Sequence, residues 1–100
     1  DIEVAVPLAL IVNELVTNSL KYALPGGRGQ IRIGFRELDG IYLMEYRDTG
    51  PGLPDDFNSG GSDSLGMTLV RALVGQLEGE LETFTDGGAV FRITFPSGDR

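Results

Sequence analysis

Apolar residues recur at helical spacing after Pro7. Leu8, Val12, Leu15, Val16, Ser19, Leu20 and Ala23 share one broad arc, which predicts a helix from Pro7 to about Ala23. Asp1–Val6 reads as extended, and Pro7 suits a first helical turn, where its missing N–H costs nothing. Leu24-Pro25-Gly26-Gly27 ends the helix, because Pro and Gly together break it. Gly29 to Arg36 and Ile41 to Arg47 are rich in Ile, Phe, Tyr and Leu and read as strands, with Asp39-Gly40 as a hairpin turn between them. Apolar periodicity then disappears over residues 48–63, DTGPGLPDDFNSGGSD, a stretch too long for a simple turn. Ser64 caps a second predicted helix from Leu65 to about Leu77, in which Leu65, Leu69, Leu73 and Leu77 stand at i+4 steps beside Val70 and Val74. Glu80 to Thr85 and Ala89 to Phe95 form a second predicted hairpin, turning at Asp86-Gly87-Gly88, and Pro96-Ser97-Gly98 closes the order.

Two helices and four strands in the order helix, hairpin, loop, helix, hairpin lack the regular βαβ alternation of a doubly wound sheet. The expected fold class is α+β: a two-layer α/β sandwich whose mixed, mostly antiparallel sheet carries helices on one face. One hundred residues hold one core, so residues 1–100 are read as a single domain, and the opening on Asp1 rather than Met reads as a fragment of a longer protein. No apolar run in the sequence reaches the roughly 18 residues of a membrane span, so direct membrane contact is not expected.

Composition then narrows the chemistry. Fifteen acidic against eight basic residues give a net charge of −7, which disfavours nucleic acid and anionic membrane as partners. The chain has no Cys and no His, which excludes disulfides, thiolate nucleophiles, Cys or His metal sites, Ser-His-Asp triads and a histidine phosphoacceptor within it. Carboxylates, amides, backbone N–H groups and a bound ligand remain. Glycine is abundant, 15 residues, and it is clustered.

Three clusters stand out. Glu14, Asn18 and Lys21, the chain's one lysine, fall within roughly 60° of each other on the first helix, nearly opposite the apolar arc. Any surface helix can carry such a stripe, but a carboxylate, an amide and an ammonium also suit a hydrated Mg²⁺ and a polyphosphate. Asp48-Thr49-Gly50-Pro51-Gly52 leaves a strand; the acid can accept from a ligand N–H while the glycines let a flat ring approach the backbone. It opens no helix, so it is not a dinucleotide fingerprint. Gly60-Gly61-Ser62-Asp63-Ser64-Leu65-Gly66-Met67 leads into a helix N-terminus, which is either an anion site or a capped surface loop, and it lacks the G-K-[ST] of a P-loop.

Together and in this order, the clusters resemble the ATP-binding catalytic domain shared by sensor histidine kinases, DNA gyrase, the ninety-kilodalton heat-shock chaperone and the MutL repair proteins, whose fold is the Bergerat-type sandwich. Asn13 to Ala23 is similar to the N box, Asp48 to Gly52 to the G1 box, Ser64 to Val70 to the G2 box, and Gly88-Ala89-Val90-Phe91 with Phe95-Pro96 to the last strand. The wording E-L-V-T-N-S-L-K-Y-A and the short lid look most like bacterial or archaeal sensor histidine kinases with the compact catalytic domain (the HWE and HisKA_2 types). The resemblance implies ATP and Mg²⁺ as cofactors. Asn18 would coordinate the metal, Lys21 would neutralise phosphate charge and Tyr22 would pack by the nucleotide. Asp48 would accept from the adenine amine, with Gly50 and Gly52 under the base and Leu53 beginning the lid of residues 53–63. Ser64, Leu65 and Gly66 would meet the phosphates. Glu14 would orient the metal shell or accept a proton from the phosphoacceptor.

Further implied partners are an upstream dimerisation and phosphoacceptor domain and a downstream response regulator, in the cytoplasm where ATP is, whether or not the parent is membrane-anchored. The chain departs from the pattern in its single central G2 glycine, Gly66, and in Val90, which stands where many relatives carry Ser or Thr near the adenine pocket. Alternative readings on the same fold are a serine kinase of the anti-sigma type and a catalytically silent ATP-binding module.

Overall fold

The structure, a computed structural model, describes residues 2–23, 28–52 and 65–97, without the side chains of Tyr22, Ala23 and Leu65. Helix α1 (Ile2–Asn18) runs directly into a π-helical turn (Ser19–Ala23). A hairpin, β1 (Ile31–Leu38) and β2 (Ile41–Asp48), follows, then α2 (Leu65–Gln76) and a second hairpin, β3 (Glu80–Thr85) and β4 (Ala89–Pro96). The four strands form one sheet in the order β1-β2-β4-β3, and every described pairing is antiparallel. The expected two-layer α+β sandwich is therefore what the chain forms, at the antiparallel end of the expectation. Asp39 at φ 54 and Gly40 at φ 81 supply the two left-handed residues of the first hairpin turn.

Both helices lie on one face of the sheet. The core joins Ile11 and Leu15 of α1, Met67, Val70, Leu73 and Val74 of α2, Met44 and Tyr46 of β2, and Ala89, Phe91, Ile93 and Phe95 of β4. The inner sides of β2 and β4 are the best covered, so these central strands carry the site's framework. On edge strand β1, Ile33 and Phe35 share the face of Tyr46 and Met44 by register, yet each is about half exposed.

The helices depart from the sequence reading in instructive ways. α1 begins at Ile2, so Pro7 sits inside it rather than at its start. The carbonyl that Pro7 cannot serve lies in the solvent-exposed first turn, which limits the cost. The buried stripe of α1 is Pro7, Ile11, Leu15 and Ser19, whereas Leu20 is exposed. In α2, Met67, Val70, Leu73 and Val74 point inward and Leu69 outward. Both helices are apolar on more than one side, so spacing alone leaves the buried direction open until the sheet chooses it. The same richness makes Ile2–Lys21, with mean hydropathy 1.3, long and apolar enough to cross a membrane by length and composition, contrary to the reading from apolar runs. Here its Ile11–Leu15 side is packed into the core instead. Residues 24–27, the predicted helix terminator, lie outside the described residues, as do Ser64 and the lid segment 53–63.

On the opposite face of the sheet, Glu45 of β2 accepts from Arg47 at 2.8 Å and from two nitrogens of Arg92, on β4, at 2.8 and 3.0 Å. Arg47 also reaches Asp86 and Arg92 reaches Glu82. Hydrogen bonds from Arg47, then Arg92, hold the Glu45 carboxyl below its ordinary value, against a smaller opposing effect of burial. A carboxylate lowered on folding stabilises the fold above its unfolded value and loses that contribution as pH falls through the lowered one. Urea unfolding across the acid range is expected to show Glu45→Gln slightly less stable than the parent at neutral pH. The difference should shrink as pH falls below the ordinary carboxylate range and disappear only once the pH lies below the lowered native value. A pH-independent difference would assign the effect to packing.

Candidate functional site

Strand β2 ends at Asp48, and its alternation places Met44, Tyr46 and Asp48 on the inner face in succession. Asp48 is 6 % exposed, a buried acid that requires partners. Its Oδ1 accepts two backbone N–H bonds at 3.0 Å, from Gly50 in the following turn and from Ala89 at the start of β4. Its Oδ2 accepts from the Ser19 hydroxyl at 2.8 Å. Ser19 Oγ also lies 2.7 Å from the Tyr46 hydroxyl, which is itself 3.1 Å from the Leu15 carbonyl oxygen. Burial pushes the Tyr46 hydroxyl above its ordinary value, with the nearby Asp48 charge acting the same way and the Ser19 hydrogen bond the other. It is therefore protonated throughout the physiological range. One corner thus ties together the end of α1, the end of β2 and the β3–β4 turn.

Glycines make the corner close. A Cβ on Gly88, whose φ is +144°, would stand 1.9 Å from the Asp48 carbonyl oxygen. Gly52, at φ +94°, would bring a Cβ to 2.5 Å from the Thr85 side chain. Gly50 acts through its N–H on Asp48. The D-x-G-x-G segment is therefore folded back on its own acid and against the second hairpin.

The predicted site residues divide accordingly. Asn18 immediately precedes Ser19, so the Ser19–Asp48 bond brings the N-box and G1 segments together. Glu14 and Asn18 are half-buried and border the core stripe rather than lying opposite it, while Lys21 is exposed. Gly66 is half-buried in the first turn of α2. Leu53 and Ser64 lie outside the described residues, and the side chains of Tyr22 and Leu65 are likewise not described. Sequence reasoning missed Ser19, counted in the apolar arc, along with Tyr46 and Gly88. The available signal was a hydroxyl on a stripe that is otherwise apolar, since a buried polar group needs a partner. Tyr46, two residues before Asp48 on one strand face, was the natural candidate.

Chemically, Asp48 is an acceptor held by three donors among the described residues, and a carboxylate has about four acceptor directions. The remaining capacity suits one ligand N–H, such as an exocyclic amine. Among the described residues no group of three or more acidic side chains gathers to hold a metal by itself. A cation that keeps ligand and water oxygens and takes one protein oxygen, as Mg²⁺ does, fits Asn18. The depression of about 570 Å³ lined by Glu80, Leu81, Glu82, Arg92 and Thr94 is remote from this chemistry and does not involve Asp48.

Comparison with known proteins agrees with the geometry. Residues 3–99 match the family described as histidine kinase-, DNA gyrase B- and HSP90-like ATPase. The chain is 31% identical over 98 residues to blue-light-activated histidine kinase 2 of Erythrobacter litoralis, covering 95% of this chain and 28% of that protein. It is 34% identical over 84 residues to the sensor histidine kinase PdtaS of Mycobacterium tuberculosis, covering 81% and 17%. The solved histidine kinase domain of an Erythrobacter litoralis blue-light activated histidine kinase superposes with a TM-score of 0.83 at 28% identity, over 96% of this chain and 46% of that one. The chain thus spans less than a third of the length of these two relatives. The chain belongs to the histidine kinase-, DNA gyrase B- and HSP90-like ATPase family.

Proposed function

We propose that this domain binds Mg²⁺-ATP and supplies the γ-phosphoryl group for histidine autophosphorylation in two-component signalling. The observation that carries the reading is the buried Asp48 carboxylate, which among the described residues accepts from Gly50, Ala89 and Ser19 and keeps one acceptor direction on Oδ2. That direction accepts the adenine amine. Asn18 offers one hard oxygen to the metal, and Lys21 offsets phosphate charge. Gly66 and its neighbours Ser64 and Leu65 bring helix N–H groups to the phosphates, Leu53 opens the lid, and Tyr22 packs by the nucleotide. Bound Mg²⁺ would neutralise charge on the phosphate oxygens. Glu14, half-buried one turn before Asn18, orients the metal's shell or takes the acceptor's proton.

The acceptor histidine belongs to another domain or protein, because this chain contains none. An upstream dimerisation domain, a response regulator downstream and a cytoplasmic site of action complete the proposal. The sensor-kinase relatives favour histidine over serine as the acceptor. Asn18→Ala is expected to bind ATP with little gain from Mg²⁺, a loss on the order of tenfold against the parent in calorimetric titration. Equal enhancement by Mg²⁺ in the variant would remove Asn18 from the metal site.

A further inference from the structure

Between them, Ser19 and Tyr46 have two hydroxyl hydrogens and three short contacts to serve. These are Ser19 Oγ to Asp48 Oδ2 at 2.8 Å, Ser19 Oγ to Tyr46 Oη at 2.7 Å, and Tyr46 Oη to the Leu15 carbonyl oxygen at 3.1 Å. An ionised carboxylate only accepts, so the contact with Asp48 is made by the Ser19 hydrogen. The 2.7 Å contact then requires the Tyr46 hydrogen, and the longer contact to Leu15 is the one left without a full donor. The alternative, with Tyr46 donating to Leu15 and Ser19 donating to Tyr46, leaves the Asp48 charge without its hydroxyl. Hydrogen bonds to a charged acceptor are the stronger ones, so the charge selects the first arrangement. The result is a directed chain, Tyr46 to Ser19 to Asp48. No buried side-chain polar atom among the described residues lacks a partner.

We propose that Ser19 and Tyr46 are positioning residues that set the site's preference for a purine bearing an exocyclic amine, by fixing the orientation of the Asp48 carboxylate. Oδ1 is anchored by two backbone N–H groups, but two bonds to one oxygen still permit the carboxylate plane to rock about that oxygen. The Ser19 bond stops the rocking at Oδ2, the oxygen that Ser19 leaves with one acceptor direction. Ser19 is able to do this because α1 gives way to a π-helical turn at that residue, a local irregularity frequent at functional sites. Tyr46 in turn fixes the Ser19 rotamer from the neighbouring strand.

This inference rests on Asp48 meeting the adenine amine, and the test separates the two claims. ATP and purine riboside triphosphate, which lacks the amine, are titrated against the parent chain, Ser19→Ala and Tyr46→Phe. In the parent, ATP is expected to bind about 10-fold or more tightly than the amine-free nucleotide, the size of a hydrogen bond to a charged group. In Ser19→Ala the ratio should fall at least about threefold, and in Tyr46→Phe, which keeps the ring and its packing, it should fall in the same direction by less. A purely structural role would weaken both nucleotides equally and leave the ratio at the parent value, which overturns the proposal. A ratio near one in the parent itself overturns the Asp48 reading beneath it. If Ser19→Ala does not fold, Tyr46→Phe decides alone: an unchanged ratio there is the contrary result.

Discussion

Asp48→Ala is expected to lose at least about 10-fold, and up to about 100-fold, in ATP affinity, the range of one hydrogen bond between a ligand and a charged acceptor. Its preference for ATP over GTP should relax at the same time, because the carboxylate repels the carbonyl oxygen that guanine presents where adenine presents its amine. The variant also strands the Gly50 and Ala89 N–H groups and the Ser19 hydroxyl, which all donate to this one side chain. A buried donor left without an acceptor costs about 1–3 kcal/mol, so the thermal midpoint should fall as well. Asp48→Asn separates the two effects. It keeps an oxygen for the backbone donors while replacing the other with an NH2 group, so binding should fall while most of the stability remains. An unchanged nucleotide profile in a folded Asp48→Asn chain would contradict the assignment.

Gly88→Ala is the substitution expected to damage the fold most for the least chemical change. Its Cβ would fall 1.9 Å from the Asp48 carbonyl oxygen and 2.8 Å from the carbonyl carbon, both backbone atoms that have no rotamer to escape into. The φ of +144° adds conformational strain of about 1–3 kcal/mol for a residue with a side chain. The β3–β4 turn must move away from the end of β2, which also breaks the Ala89–Asp48 bond. A loss of roughly 2 kcal/mol or more would lower the melting temperature by about 10 °C in a domain of this size. Gly87→Ala is the matched control: at φ +69° it carries left-handed strain but has open space around its Cβ, so its loss should be clearly smaller. Equal losses at the two positions would show that strain, not the approach to Asp48, sets the cost.

Much of this architecture was readable from sequence because local rules agreed. Asp39-Gly40 specified a hairpin, and the pairing Leu38↔Ile41 follows directly from a two-residue turn. Asp86-Gly87-Gly88 specified the other, and Thr85 pairs with Ala89 across it. Helix α2 covers Leu65–Gln76, in keeping with its apolar spacing, while its expected cap Ser64 lies outside the described residues. What escaped was set by long-range packing. Ile11 is completely buried and Leu20 exposed, because α1 is apolar around much of its circumference and tertiary contact chooses the side. Its start at Ile2 also escaped, since Pro7 reads locally as a first-turn residue and nothing nearby reports that five residues before it are helical too.

The site was partly legible for the same reason. Asp48, Gly50 and Gly52 are contiguous and carry their own turn chemistry, so they could be singled out from a short window. The Ser19–Asp48 bond spans 29 positions, and the Ala89–Asp48 bond 41. No local pattern encodes such distances. Ser19 looked like a small residue on an apolar arc, and its hydrogen bonds emerge only when β2 brings an acid and a phenol beside it. Gly88 looked like an ordinary turn glycine, yet its missing side chain is what lets the second hairpin close on Asp48.

Calorimetric titration of this chain with ATP, with and without Mg²⁺ and against GTP as the competitor base, tests the central claim most directly. Saturable one-to-one binding of ATP that strengthens with Mg²⁺ and is much weaker for GTP is the expected result. A folded chain that binds neither nucleotide, or binds both alike whether or not Mg²⁺ is present, would contradict it.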